Sequence, residues 1–302
     1  MADRRTMLAS EAIARTCGRQ AIRSRGDPNA DGRIPGVDLG LRDRACIVTG
    51  ASGGIGRATA LGLAAEGAAL LLTGRREEAL AEVAEACRDA GGQASTLVLD
   101  ITAVDAGERL LAACLDAFGR VDGLINNAGT STVRPLEEVS DAEWQDYWDL
   151  HVMAPMRAMR ATAPAMADRG WGRIVNVSSS SGKRPSSSLA MPYSVTKAAV
   201  LSLSRAFAEQ FAGRGVLVNA VAPGPVADEL WLAPGGMADQ NAAVQGISRE
   251  EVLEATAKRV PVGRMARPEE IAAVIVFLCS ELAASVAGAA WSVDGGTVPS
   301  II

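Results

Sequence analysis

A glycine-rich segment lies between a short apolar run and a helical pattern near the start of the regular part of the chain. The run at 45–49 is typical of a buried strand, and 55–66 has the composition of a helix. Glycines at such a junction permit a tight turn and let the backbone approach a phosphate, which the helix N-terminus attracts. The segment predicts a cradle for a nucleotide diphosphate, with a plain turn as the alternative. The residues assigned to this cradle are Gly50, Ser52, Gly53, Gly54, Ile55 and Gly56.

Strand and helix patterns then alternate to the end of the chain. The predicted strands are 45–49, 70–73, 96–99, 123–126, 173–177, 216–221 and 290–293, and the predicted helices are 55–66, 77–90, 105–118, 141–167, 193–212 and 268–280. Pro155 and Pro164 are expected to bend or break the long fourth helix. Such alternation predicts an α/β fold of the Rossmann type, a doubly wound parallel sheet that binds its ligand at the carboxyl ends of the strands.

Composition excludes several classes of function. A net charge of −5 gives no electrostatic basis for binding nucleic acid. The five cysteines are odd in number and scattered without metal-ligand spacing, which indicates reduced thiols and a cytoplasmic protein. A single histidine excludes a multi-histidine zinc site, and no metal is expected. No run of 18 apolar residues occurs, so no membrane span is expected.

Residues 1–40 differ from the rest of the chain. Seven arginines precede residue 36, turn-forming residues follow, and no apolar core of a secretory signal is present. We expect a mobile N-terminal extension, followed by one catalytic domain at 41–302.

Two later loops suggest how the nucleotide is recognised. The second strand ends in Gly74, Arg75 and Arg76, where an acidic residue would favour NAD. Guanidinium groups bind a 2′-phosphate well, so the pair favours NADP; two solvated arginines are the alternative, which leaves NAD possible. Further contacts with the nucleotide are expected from residues that follow the third and fourth strands. The alternatives are a helix N-cap after the third strand and an Asx turn after the fourth. These residues are Asp100, Ile101, Asn127, Ala128 and Gly129.

Tyr193 and Lys197 are four residues apart in a predicted helix, so both side chains lie on one face. A nearby ammonium group lowers the pKa of a phenol, which suits a tyrosine that transfers a proton near neutral pH.

Together these motifs resemble the classical short-chain dehydrogenase/reductase family from about residue 41 onward, and within it the chain is similar to 3-oxoacyl-carrier-protein reductases. The resemblance implies that Tyr193 is the general acid and base, that Lys197 holds the nicotinamide ribose, and that Ser179 stabilises charge on the substrate oxygen. Aligning backward from Tyr193 favours Ser180 as that serine instead, and both options stay open. The family also implies cofactor contacts at Tyr193, Lys197, Pro223, Gly224 and Val226.

Two residues depart from the family pattern. His151 stands where the family usually has an asparagine that holds a water in a proton relay, and we expect the imidazole to take that role, with a buried structural histidine as the alternative. Asp228 replaces a threonine that contacts the nicotinamide amide.

The stretch 228–260 is predicted to be an irregular substrate lid with a hinge at 234–236. The expected apolar pocket wall consists of Trp231, Leu232, Met237, Pro185, Leu189 and Met191. Apolar faces on the helices at 141–167 and 193–212, together with the family resemblance, predict a homodimer or homotetramer, to which Ile301 and Ile302 could contribute.

These features predict an oxidoreductase that transfers a hydride between NADP(H) and a small carbonyl compound or secondary alcohol, and the substrate is expected to be apolar. An NAD-dependent alcohol dehydrogenase and a non-catalytic dinucleotide sensor are the alternatives. The intact set of Ser179, Tyr193 and Lys197 favours the enzyme.

Overall fold

Seven parallel strands form one sheet, with helices on both of its faces. The computed structural model describes residues 37–185 and 190–299. The strands are β1 (Ala45–Thr49), β2 (Ala69–Gly74), β3 (Gln93–Val98), β4 (Gly123–Asn126), β5 (Gly172–Val177), β6 (Val216–Pro223) and β7 (Ala290–Val293). Their order is β3-β2-β1-β4-β5-β6-β7, and every neighbouring pair is parallel. The order changes direction between β1 and β4, so the crevice for a ligand lies where the chain leaves these two strands.

The helices cover both faces of the sheet. They are α1 (Gly54–Ala65), α2 (Glu77–Asp89), α3 (Ala106–Phe118), α4 (Asp141–Trp148), α5 (Ala154–Asp168), α6 (Ser180–Lys183), α7 (Met191–Phe211), α8 (Glu229–Leu232), α9 (Met237–Gln245), α10 (Arg249–Arg259) and α11 (Pro268–Cys279). The predicted doubly wound α/β fold is confirmed.

The two faces have separate cores. Helices α1, α2 and α11 pack on one side with Cys46 and Val48 of β1, whereas α3, α5 and α7 pack on the other with Ala45 and Ile47. Successive strand residues point to opposite faces, and burial on both sides explains why the strands are continuous apolar runs. Each buried leucine or isoleucine side chain stabilises the fold by roughly 1.5–3 kcal/mol.

The predicted helix at 141–167 is divided in two. A π-helical segment, Asp149–Met153, separates α4 from α5. Pro155 lies in the first turn of α5 and has no N–H to continue the ladder of i→i−4 hydrogen bonds, so the irregularity falls just before it. Pro164 lies inside α5, which continues past it to Asp168, so this proline does not break the helix.

The prediction that 228–260 is irregular is wrong, because this stretch contains α8, α9 and α10. The signal for α10 is local: Ser248 and Glu251 form a capping box, in which each side chain accepts a hydrogen bond from the other's backbone N–H. Gly246, with φ 66°, ends α9 in the left-handed conformation typical of a helix C-terminus.

An ionic cluster ties together the edge of the sheet where the strands begin. The buried Asp122 carboxylate accepts hydrogen bonds from the backbone N–H of Ala45 at 2.9 Å and from Arg120 Nη2 at 2.7 Å. Arg44 lies 3.8 Å from the same carboxylate. This edge is opposite the expected ligand crevice, so the cluster stabilises the fold. Among the described helices, none is both long enough and apolar enough to cross a membrane.

Candidate active site

The glycine-rich loop after β1 is shaped by close backbone contacts. Gly50 and Gly54 have φ of 64° and 50°, a region that disfavours other residues. A Cβ on Gly56 would lie 2.2 Å from the carbonyl oxygen of Gly50. Helix α1 begins here with no side-chain cap and no acidic residue in its first turn, so its N–H groups are available to an anion. The loop therefore fits the diphosphate of a dinucleotide.

Thr49 joins this loop to the loop after β4. Its hydroxyl donates to the carbonyl of Ile125 and accepts hydrogen bonds from the backbone N–H groups of Asn127 and Ala128, at 2.9 and 3.1 Å. The Asn127 amide in turn donates to the carbonyls of Thr49 and Gly50. Sequence reasoning missed Thr49, although its position as the last residue of β1 could have indicated such a role.

The ends of β2 and β3 supply charged groups to the same crevice. Arg76 donates from Nη2 to Ser52 and pairs with Glu229 at 3.1 Å. Arg75 is exposed. The Asp100 carboxylate accepts two hydrogen bonds from Thr102, which lower the pKa of Asp100, and the charge of Arg75 lowers it further.

Ser179, Tyr193 and Lys197 come together at the carboxyl end of β5. Ser179 ends the loop after this strand and caps α6 by accepting from Ser181 N at 3.1 Å. The Lys197 ammonium donates to the carbonyl oxygen of Val177 at 2.9 Å and lies 5.7 Å from the ring centre of Tyr193. These bonds hold α7 against β5, with both side chains directed to the crevice.

The pKa values differ from the expectation. Burial raises the pKa of Tyr193, and the charges of Tyr147 and Asp228 add to the rise, while a hydrogen bond with Ser179 lowers it. Burial also lowers the pKa of Lys197 to about 8. The predicted acidification of the phenol by Lys197 is therefore not found here, because desolvation of the half-buried phenol outweighs the other effects.

Both ring nitrogens of His151 are hydrogen-bonded within the protein. Nε2 accepts from the backbone N–H of Thr130 at 3.2 Å, and Nδ1 lies 3.0 Å from Thr196 Oγ1. The Thr196 hydroxyl donates to the carbonyl of Pro192, so Nδ1 carries the proton and donates to Thr196. Burial, and next the charge of Lys197, lower the pKa of His151 well below its ordinary value, which keeps the ring neutral.

His151 and Lys197 both line a small cavity of about 10 Å³, together with Asn126 and Asn176. This is room for about one water. In this arrangement neither ring nitrogen is left to bind that water, so the relay predicted for His151 would require one of its two hydrogen bonds to break.

The crevice is a cleft of about 1090 Å³. It brings together most of the predicted site residues. Only two of them, Gly56 and His151, are not part of its lining. The predicted residues in the lining are Gly50, Ser52, Gly53, Gly54, Ile55, Arg75, Arg76, Asp100, Ile101, Asn127, Ala128, Gly129, Ser179, Tyr193, Lys197, Pro223, Gly224 and Val226. Ser180 also lines the cleft, so both candidate serines reach it.

The predicted apolar wall forms in part. Trp231, Met237 and Pro185 line the cleft. Leu232 and Met191 are exposed to solvent and lie outside the lining. Leu232 is the last residue of the short helix α8, and Met191 is the first residue of α7. Leu189 lies outside the described residues.

Polar side chains interrupt this wall. Asn241, Thr256 and Arg184 line the cleft, and sequence reasoning missed all three. The buried hydroxyls of Thr73 and Ser131 also line it, and neither has a hydrogen-bond partner among the described residues. Such hydroxyls are suited to bind polar groups of a ligand.

Two side-chain contacts hold α9 of the predicted lid in place. The side-chain carbonyl of Gln240 in α9 accepts from the backbone N–H of Val133 at 2.9 Å, which connects the lid to the loop after β4. Asp239 pairs with Arg249 at 2.8 Å and connects α9 to α10.

Comparisons with known proteins agree with this geometry. A family model described as enoyl-(acyl carrier protein) reductase matches residues 50–298. The chain is 40% identical to the cis-4-hydroxycyclohexanecarboxylate dehydrogenase of Sinomonas cyclohexanicum over 258 residues, which cover 84% of this chain and 96% of the relative. It is 39% identical over 258 residues to the galactitol 2-dehydrogenase (L-tagatose-forming) of Cereibacter sphaeroides, covering 84% and 95%.

A solved structure with the same fold is the L-sorbose reductase of Gluconobacter frateurii in complex with NADPH and L-sorbose. It superposes with a TM-score of 0.82 at 33% identity, over 88% of this chain and 100% of that one. The chain belongs to the short-chain dehydrogenase/reductase family of oxidoreductases.

Proposed function

We propose that this protein interconverts a small carbonyl compound and its secondary alcohol with NADP(H), and that Tyr193 is the general acid and base. The observation that carries the proposal is the meeting of Ser179, Tyr193 and Lys197 in the cleft that also contains the glycine-rich loop. The bound cofactor supplies or accepts the hydride.

The preference for NADP rests on the end of β2. Arg75 and Arg76 line the cleft beside Gly74, where no acidic side chain is present to accept from a ribose 2′-hydroxyl. Arginine is well matched to a phosphate dianion. The NADPH complex of the similar L-sorbose reductase supports the same cofactor.

The protein groups have complementary roles in this proposal. Because burial raises the pKa of Tyr193, the phenol is protonated at neutral pH and can give its proton to a carbonyl oxygen. The Ser179 hydroxyl hydrogen-bonds to the Tyr193 phenol. From there it can also stabilise the negative charge that develops on the carbonyl oxygen of the substrate. Lys197, buried next to Tyr193, would hold the nicotinamide ribose through its ammonium group.

The mixed wall broadens the expected substrates. Trp231 and Met237 offer apolar contact, whereas Ser131, Asn241 and Arg184 offer hydrogen bonds. We therefore propose substrates with an apolar ring or chain and at least one polar substituent, in place of a purely apolar ketone.

The decisive experiment compares Tyr193→Phe with Tyr147→Phe, which removes the only other tyrosine hydroxyl in the chain. Tyr193→Phe should lower kcat by about 10²–10⁴-fold while NADPH still binds, because only the proton donor is lost. Tyr147→Phe should retain most turnover. Full turnover by Tyr193→Phe would refute the mechanism.

A second pair decides between the two serines. Ser179→Ala should lower kcat by about 10²-fold or more, and Ser180→Ala should have a much smaller effect. The reverse ranking would assign the role to Ser180.

The alternatives are tested with the wild-type protein. Oxidation of NADPH and NADH is followed with a panel of ketones and oxoacyl thioesters, and alcohol oxidation is followed with NADP and NAD. Preference for NADH or NAD would favour the NAD-dependent dehydrogenase. Tight NADPH binding without turnover of any panel member would favour the sensor.

We further propose a cytoplasmic homo-oligomer, a dimer or tetramer. Trp148 of α4 and Val195 of α7 are exposed on the two helices predicted to pair. Cys46, Cys87, Cys114 and Cys279 are free thiols, which fits a reducing compartment. Light scattering coupled to gel filtration measures the assembly, and a monomer would contradict it.

A further inference from the structure

Two carboxylates of the lid lie over the glycine-rich loop. A Cβ built on Gly54 would be 3.0 Å from Asp228 Oδ2, and a Cβ built on Gly53 would be 2.7 Å from Glu229 Oε2. Gly53 and Gly54 form the start of α1, whose first turn contains no acidic residue. Asp228 therefore occupies the position of an anion at this helix N-terminus, although it is about 174 residues away in sequence.

Glu229 also engages the second arginine at the end of β2. Its carboxylate pairs with Arg76 Nη2 at 3.1 Å, and the same nitrogen donates to Ser52 in the loop. Both side chains of the ion pair are more than half exposed, at 57% and 62%. The pair is therefore weak enough to exchange its carboxylate for another anion.

Asp228 is held more firmly. Its Oδ1 accepts from the backbone N–H of Leu230 at 3.1 Å, which caps α8 and fixes the carboxylate above Gly54. Burial, and to a smaller degree the charge of Glu229, raise the pKa of Asp228, while hydrogen bonds from Trp231 and Leu230 oppose the rise. Burial therefore disfavours the ionised Asp228 carboxylate, and the negative charge of a bound diphosphate would disfavour it further.

A dinucleotide bound at this loop brings its diphosphate to the N-terminus of α1 and its 2′-phosphate to the arginines. We propose that Asp228 and Glu229 are two separate determinants of cofactor affinity: Asp228 opposes the diphosphate that NADPH and NADH share, and Glu229 competes with the 2′-phosphate of NADPH for Arg76. This inference rests on the proposed function, because it assumes a dinucleotide in the cleft. According to this proposal, Asp228 lowers the affinity for both dinucleotides, whereas Glu229 lowers the affinity for NADPH alone.

The test measures equilibrium binding of NADPH and NADH by calorimetry, without substrate and at low ionic strength. Asp228→Asn retains a side chain that caps α8 equally well, and Glu229→Gln retains the length of the side chain. Glu250→Gln is the matched control, because it removes the same charge from an exposed position on α10 outside the cleft lining.

Asp228→Asn should tighten the binding of both cofactors by similar factors, about three- to tenfold. Glu229→Gln should tighten NADPH by about two- to fivefold and leave NADH within about 1.5-fold. Glu250→Gln should change neither cofactor. High salt should shrink both gains, because the repulsion is screened.

Unchanged or weaker NADPH binding by both variants would overturn the inference, as would an effect of Glu229→Gln that is equal for both cofactors. Weaker binding by Asp228→Asn would show that Asp228 holds the cofactor. These failures are distinct from failure of the proposed function, in which the wild-type protein would bind neither dinucleotide.

Discussion

Gly56→Ala adds one methyl group where the glycine-rich loop folds back on α1. The new Cβ would lie 2.2 Å from Gly50 O and 2.5 Å from Asn127 Nδ2, whereas favourable carbon contacts lie at about 3.5–4.0 Å. The loop would have to move by about 1 Å. Because the obstacle is backbone, we take the upper part of the overpacking range, about 3 kcal/mol, against a gain of about 1 kcal/mol from the better helix propensity of alanine.

The expected net loss is about 2 kcal/mol of unfolding free energy, or a fall in Tm of about 4–8 °C. Gly62→Ala in the same helix is the control. Its Cβ would meet a methyl group of Val276 at 3.0 Å, a side chain that can yield, so the contact and the propensity gain should nearly cancel.

Thermal unfolding followed by circular dichroism gives Tm, and calorimetry gives the affinity for NADPH. Gly56→Ala should lose both stability and at least about tenfold in affinity, because the displaced loop no longer presents its N–H groups together. The reasoning is refuted if Gly56→Ala has the same Tm as Gly62→Ala and binds NADPH with the affinity of the wild type.

Three further predictions test other parts of the molecule. Asp122→Ala should cost about 3 kcal/mol of unfolding free energy, because it leaves buried hydrogen-bond donors without an acceptor. The control, Asp168→Ala, removes an exposed ion pair and should cost less than about 1 kcal/mol. Equal losses of the two variants in urea unfolding would contradict this prediction. The pKa of Glu270 is lowered from 4.5 to about 2, chiefly by hydrogen bonds from Arg264, so its contribution to stability is present above pH 4.5 and disappears as the pH falls toward 2. Glu270→Gln should therefore lose less stability than the wild type over that interval in pH-dependent melts, and parallel curves would show that the pair contributes nothing. Since His151 is the single histidine, nitrogen-15 NMR can assign its ring directly, and we expect a neutral ring with the proton on Nδ1 at pH 6.5; a charged ring there would disprove the hydrogen-bond assignment.

The sequence predicted the parts of the site that follow from local order. Glycines at the end of a strand, the arginines after β2 and a tyrosine and lysine on one helical face are neighbours in the chain, and the parallel sheet brings its strand ends to one edge. The seven strands were recognisable for the same reason, since burial on both faces leaves nearly unbroken apolar runs.

Features that depend on distant contacts were not predictable in this way. The hydrogen-bond partners of His151 are Thr130 and Thr196, 21 and 45 residues away in the chain. The pKa of Tyr193 depends on how deeply the phenol is buried, which no local pattern records. Pro234 and the glycines at 235, 236 and 246 obscure the helix starts of the lid, although Ser248 and Glu251 carry a capping signal.

The π-helical segment has a consequence for how this region tolerates change in length. Its wider turn holds one residue more than regular helix geometry would, so α4 and α5 each keep their own angular setting. In that setting Tyr147 reaches Thr132 while Ala158 and Met159 meet the sheet. Deleting one residue between 149 and 153 would turn one helix by about 100° relative to the other, since a regular turn contains 3.6 residues. The number of residues in this segment is therefore set by two packed surfaces, which must both keep their orientation.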